Sequence, residues 1–358
     1  MNDESNLEVI YQFIQEVIRS IPVILLGSGA SCACGIPGMV KLGGFLNDNI
    51  STNETFREDW SRVYALLDEG LENALQKSGA NDNLINFITG ITAEYIRKED
   101  CKLFKKLILN EIYLPLSSII DYIFSGHVQK INIITTNYDR IVEYACDMAR
   151  IPYTTGFTGG YYKEFSLDKS YELYQRVIKR KVTRTRFQAF NDNVPHVKLF
   201  KLHGSIDWFT CDGKIISINN SFEEVKPLIV APGLRKYLDT YHNPYREIIS
   251  AADYAILQGN TFLIIGYGFN DQHLQELLIP KIKDPHIKVV VLTKELTKNA
   301  NSILLGTKNT LVITEKYNGN GTYCYLNGRS FEFGKNFWAL REFVSIFTGG
   351  DELNEHIS

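Results

Sequence analysis

Asn137, Asp139 and His203 are the side chains best placed to hold a water or a sugar hydroxyl and move its proton. Each sits in a short polar segment directly after an apolar run: Thr135-Thr136-Asn137-Tyr138-Asp139 in one case, Lys201-Leu202-His203-Gly204-Ser205 in the other. Imidazole accepts a proton near neutral pH, and a neighbouring amide and carboxylate supply hydrogen bonds and negative charge. Two glycine-bearing segments complete the set. Gly27-Ser28-Gly29-Ala30-Ser31 is followed by Gly35-Ile36-Pro37-Gly38, and Gly266-Tyr267-Gly268-Phe269-Asn270-Asp271 comes much later. Glycine permits tight turning and close approach, so a phosphate can lie against backbone N–H groups at such places. Plainer readings stand beside these. Two glycines make a structural turn, one of Thr, Asn or Asp caps a helix beginning near Arg140, and most histidines are structural or solvated.

The elements that would position these segments can be read from periodicity. Val23–Leu26 is a uniformly apolar run too short for a helix, and similar runs occur at 131–134, 197–200, 262–265 and 289–292. Buried strands separated by helical stretches predict an α/β fold: a parallel sheet with helices on both faces. All four polar segments then fall at the carboxyl ends of strands, where open α/β sheets bind ligands. Leu7, Ile10, Phe13, Ile14, Val17 and Ile18 recur at helical spacing and predict a helix over 6–20. About a hundred residues separate the first two strands, far beyond the usual connection. With periodic stretches around Trp60–Leu75 and Ile91–Ile112, residues 40–125 read as a helical insertion within a single domain spanning 1–358. A second insertion is expected over 157–195. There Arg176, Lys179, Arg180, Lys181, Arg184 and Arg186 cluster in a stretch expected to begin as a helix, either as a solvated face or as a contact for nucleic acid or another anion. Residues 336–347 read as a closing helix.

Composition narrows the class. With 358 residues, 44% hydrophobic and 22% charged, the chain can bury a large core, and a net charge of −3 gives no global attraction for polyanions or anionic membranes. The polar, acidic start and the lack of any apolar run near about 18 residues predict a cytoplasmic protein without a membrane span. Six cysteines, at 32, 34, 101, 146, 211 and 324, form no Cys-x-x-Cys pair, so no metal site is expected. Cys32 and Cys34 alone lie within a candidate ligand loop.

Taken in order, GSGAS with GIPG, TTNYD, KLHGS and GYGFND resemble the sirtuin superfamily, and specifically the sirtuin-like branch of bacterial antiphage defence proteins, over roughly residues 20–300. The resemblance implies a Rossmann-like core with a helical module. It implies NAD held by Gly27, Ser28, Gly29, Ala30 and Ser31, with Thr136, Gly266, Gly268, Asn270 and Asp271 on the same dinucleotide. Asn137 and His203 take the reaction-site roles, and Asp139 shapes the ribose pocket. Two departures matter. Sirtuin deacylases usually carry a four-cysteine zinc module, for which this sequence has no candidate, and the Asp, Phe and Arg that often follow the GIP element are replaced by Gly38-Met39-Val40.

The branch resembled typically hydrolyses NAD outright. Losing nicotinamide leaves positive charge spread over the ribose, so the site must stabilise an oxocarbenium-like state and offer an acceptor to its reacting face. The expected activity is therefore NAD glycohydrolysis to nicotinamide and ADP-ribose, switched on by a partner or by homo-oligomer formation. A HerA-like ATPase and an Argonaute-like protein are the partners the resemblance suggests. The alternatives are a non-catalytic module sensing NAD or ADP-ribose, and an NAD-dependent protein deacylase.

Overall fold

In the computed structural model, residues 3–181, 186–230, 242–317 and 319–348 are described. Sixteen strands are seen among them. In chain order they begin β1 (Val23–Leu26), β2 (Lys130–Thr135), β3 (Tyr153–Thr154), β4 (Phe157–Gly159) and β5 (Lys163–Phe165). Next come β6 (Gln175–Lys181), β7 (Phe187–Asn193), β8 (His196–Lys201), β9 (Gly204–Cys211), β10 (Lys214–Ser217) and β11 (Lys226–Ile229). The last are β12 (Thr261–Ile265), β13 (Lys288–Leu292), β14 (Thr310–Glu315), β15 (Thr322–Leu326) and β16 (Arg329–Phe333).

Nine of these make the central sheet, in the order β16-β15-β14-β13-β12-β1-β2-β8-β3. The pairs from β14 to β3 are parallel, and β15 and β16 add an antiparallel edge. The five apolar runs read from the sequence are β1, β2, β8, β12 and β13, each within a residue at either end. Apart from Asn132 and Lys198, which line a cleft, the residues of these runs are apolar because both faces of the sheet are covered. In β1, Ile24 and Leu26 enter one hydrophobic core while Val23 and Leu25 enter the other, the two-residue alternation of a strand applied to a doubly covered sheet. The first core is closed by the helices Asp3–Arg19, Pro115–Ser125, Ile141–Met148 and Leu340–Thr348. The second is closed by Tyr245–Gln258, Gln272–Ile282 and Lys298–Leu304.

Between β1 and β2 the chain is helical. Met39–Ile50, Arg57–Tyr64 and Leu71–Ser78 build a small core of their own around Leu46, Trp60 and Val63. The helix Asp82–Ile108, at 27 residues about 40 Å long, ties this core to the main one. Leu84 and Ile88 near its start lie in the helical core, whereas Ile96 and Leu103 reach the core under the sheet. Its start is fixed by Asn81, whose Oδ1 accepts the Leu84 N–H at 2.9 Å.

The region 157–195 corrects one expectation. It does not begin as a basic helix: a helix covers only Leu167–Glu172, and Arg176, Lys179, Arg180 and Lys181 lie on β6, paired antiparallel with β7. Val177 and Ile178 in their midst favour the extended backbone, where branched side chains keep their rotamers. Arg186 immediately precedes β7, and Arg184 lies outside the described residues. A second sheet, ordered β11-β9-β10-β5-β4, also has no counterpart in the sequence reading. The closing helix begins at Leu340, later than the predicted Asn336. No described helix is long and apolar enough to cross a membrane.

Candidate functional site

Four loops leave the carboxyl ends of β1, β2, β8 and β12, which are adjacent in the sheet, and so they meet. The two glycine loops interlock. A Cβ on Gly27 would stand 2.5 Å from the Gly266 carbonyl oxygen, one on Gly29 2.8 Å from Gly266 Cα, and one on Gly266 2.3 Å from Ala30 N. These glycines let two backbones touch. The N–H of Gly27 donates to Ile265 O at 3.0 Å, that of Gly29 to Gly266 O at 2.9 Å, and that of Ala30 to Gly27 O at 3.1 Å. Those amides are therefore spent inside the protein, and the first loop presents the side chains of Ser28 and Ser31 to the cleft.

Asn137 reaches across from the end of β2. Its Nδ2 donates to Gly27 O at 2.9 Å and to Ser31 Oγ at 2.7 Å, and Ser31 Oγ donates onward to Asp139 Oδ2 at 2.7 Å. With both amide protons used, the Asn137 carbonyl oxygen is the group left to accept from a ligand or water. Asp139 Oδ1 accepts the Ile141 N–H at 3.2 Å, a local turn leading into the helix Ile141–Met148, whose N-cap position is Arg140 and carries no side-chain cap. Burial pushes the Asp139 carboxyl above the ordinary range, opposed by Lys201 and by the Ser31 hydrogen bond. Lys201, fully buried, donates to the Asp139 carbonyl oxygen and to Glu143 Oε1, the latter at 2.8 Å. It pins the loop from below.

His203 enters from the end of β8. Its Nε2 lies 2.8 Å from Asp271 Oδ2, and both side chains are about nine-tenths buried. A carboxylate at that nitrogen holds the proton of a neutral imidazole on Nε2 and leaves the lone pair on Nδ1. Asp271 is positioned in turn by capping the helix Gln272–Ile282, accepting the Leu274 N–H through Oδ1 at 3.1 Å.

Asn137, Asp139 and His203 line one cleft of about 430 Å³, together with Ser28, Ser31, Thr136, Gly268, Asn270 and Asp271. Of the residues expected to bind a cofactor, Gly27, Gly29, Ala30 and Gly266 lie behind this lining, in the loop-to-loop contact. The opposite wall was not anticipated. Met39, Leu42, Gly70, Leu71, Asn73 and Ile96 come from the helical segment before β2, and Asn299, which donates to Asn270 Oδ1 at 3.1 Å, follows β13. Ile36 and Pro37 add an apolar patch beside the amides. The thiols of Cys32 and Cys34 are both raised by burial, Cys34 to about 12, which disfavours the reactive thiolate. Among the described residues no group of three or more His, Cys, Asp or Glu could hold a metal ion.

Residues 131–303 match the family model of the SIR2-like domain. Similar solved structures include a Sir2 homolog in complex with NAD, 11% identical with a TM-score of 0.44, covering 96% of this chain and 95% of that one. Another is Sir2 bound to an acetylated peptide, 12% identical with a TM-score of 0.41, covering 98% of this chain and 100% of the other. No curated protein matches the chain.

Proposed function

With the chain belonging to the sirtuin superfamily through its SIR2-like domain, we propose that it is an NAD glycohydrolase, adding water across the bond between nicotinamide and ribose. The observation that carries this reading is the pairing in one cleft of two acceptors that take no hydrogen bond from the described residues. These are the Asn137 carbonyl oxygen, oriented by Gly27 and Ser31, and His203 Nδ1, oriented from behind by Asp271.

In this reading the Ile36 and Pro37 patch receives the nicotinamide ring, and Asn270, Asn299 and Gly268 hold the rest of the dinucleotide. Binding energy from that distant half positions the reacting bond. As nicotinamide departs with the electrons of the glycosidic bond, positive charge develops on the ribose, and the Asn137 carbonyl dipole is available to it. His203 Nδ1 takes the proton of a water or of a ribose hydroxyl, and the water oxygen bonds to the ribose carbon. The balance is one NAD and one water giving ADP-ribose, nicotinamide and a proton. Asp139, with both carboxyl oxygens engaged by Ser31 and Ile141, is a positioning residue in this scheme.

Unrestrained hydrolysis would exhaust the NAD of the cell that makes the enzyme. The proposal therefore includes restraint, released by a partner of the HerA-like ATPase or Argonaute-like kind or by homo-oligomer formation, and use in antiphage defence in the cytoplasm. Purified protein incubated with NAD, alone and with such partners, is tested by chromatography of the products. Equal amounts of nicotinamide and ADP-ribose are expected. Intact NAD under every activating condition would leave a binding module in its place, and acetylated ADP-ribose formed from an acetyl-lysine peptide would make it a deacylase.

A further inference from the structure

A second cleft, of about 890 Å³, shares no lining residue with that of His203. Asn132 of β2 and Phe200 of β8 line it, between the helices Leu167–Glu172 and Tyr245–Gln258. Three cations converge there from three elements: Lys130 on β2, Lys198 on β8 and Arg246 on the second helix. Lys198 is the informative one. Its side chain is half-buried, with Nζ 3.3 Å from the centroid of the Tyr171 ring, and no carboxylate pairs with it among the described residues. Burial lowers its pKa to about 8, and Lys130, a charge of the same sign, lowers it in addition.

A half-buried ammonium costs free energy unless an opposite charge or a π face compensates it. The Tyr171 ring supplies part of that compensation, but a cation–π contact alone needs neither a second lysine nor an arginine, and no open cavity. The acids on the rim are Asp168, next to Tyr171, and Glu247, which accepts from Asn243 Nδ2. Neither forms an ion pair with Lys198. Among the described residues none supplies the missing countercharge, and a bound anion would. Volumes of roughly 300–1,000 Å³ are those of small-molecule sites, so the space suits a ligand of nucleotide size. Arginine and lysine together are the usual recognition set for phosphate oxygens.

We propose that this cleft is a second ligand site, which takes a phosphate-bearing small molecule through Lys130, Lys198 and Arg246. It stands whether or not NAD is the substrate of the first cleft.

The test uses the full chain and inorganic pyrophosphate as the probe, in titration calorimetry at pH 7. Wild type is expected to bind, and Lys198→Met to bind at least tenfold more weakly with an unchanged melting temperature, since it keeps the apolar stem. Should Lys198→Met not fold, Arg246→Gln, exposed on its helix, is expected to weaken binding at least threefold. Pyrophosphate is also expected to slow acetylation of Lys198 by acetic anhydride several-fold at pH 8, read by peptide mass spectrometry. Absence of binding by wild type, binding of equal strength in the folded variants, or no protection of Lys198 would overturn the proposal.

Discussion

Asp271 does two things with its two oxygens: Oδ2 meets His203 Nε2, and Oδ1 receives the Leu274 N–H at the start of a helix. The substitution Asp271→Asn separates them. An asparagine keeps an oxygen for the cap, but its amide nitrogen toward His203 would force the ring proton onto Nδ1, the atom facing the cleft. On the proposed mechanism, turnover of NAD should fall by about 10²-fold or more, as expected when acid–base help is lost, while the melting temperature stays near that of wild type. His203→Ala should match that fall in kcat and bind NAD within a few-fold of wild type. Full activity in either variant removes the imidazole from the reaction. A melting temperature lowered by several degrees with normal activity per folded molecule would leave Asp271 as a cap only. Asn137 is a parallel case: its amide donates to Gly27 and Ser31, and the helix Ile141–Met148 that it could have capped has no side-chain cap.

At the scale of elements, the site rests on two loops pressed together, and the glycines divide by which side of that contact they serve. Gly266 has φ +59°, and an added Cβ would stand 2.3 Å from backbone nitrogen, whereas Gly268 lacks a positive φ and faces the softer Thr297 Cγ2 at 3.0 Å. Gly266→Ala should therefore destabilise the fold by about 1–3 kcal/mol, from overpacking and the left-handed backbone together, seen as a lowered denaturant midpoint. Gly268→Ala should fold normally and lose affinity for NAD, since it lines the cleft. Equal stability of the two variants would mean the loops are not wedged as described. The same contact shows what a sequence conveys. The strand runs and the polar residues after them were legible because burial on both sheet faces writes a continuous apolar stretch, and its end marks the ligand-binding edge. What Gly27, Gly29 and Gly266 do was hidden, because a glycine needed for another backbone reads the same as one needed for a phosphate. The wall from Leu42, Asn73 and Ile96 was hidden too, since helical periodicity names a buried face without naming what it faces. The basic stretch on β6 misled through its charge density: lysine and arginine fit a helix well, and the register with β7 is set by residues a dozen positions away.

Across the whole molecule, the cleft closes only if the helical segment before β2 is held against the sheet, and one buried carboxylate does much of the holding. Asp100, on the long helix Asp82–Ile108, has no exposed surface and accepts from Arg140 at the backbone N (2.9 Å), Nε (3.0 Å) and Nη2 (2.7 Å), and from the Tyr144 hydroxyl at 2.5 Å. Arg140 immediately follows the Asn137 and Asp139 loop, so the same contact fixes that loop and the wall carried by Ile96 one turn earlier on the helix. Asp100→Ala leaves a mostly buried guanidinium, a backbone N–H and a hydroxyl without their acceptor. Breaking a buried pair from one side costs about 3–5 kcal/mol, a large share of the stability of an ordinary domain. The expected outcome is a lower melting temperature together with faster amide hydrogen exchange in 82–108 and 137–141, ahead of exchange in β12 and β13. In molecules that remain folded, KM for NAD should rise more than kcat falls, because binding needs the wall whereas the acid–base pair of His203 and Asp271 lies on the other side of the cleft. Uniform acceleration of exchange through both sheet and helices would show that Asp100 supports global stability without coupling the two parts.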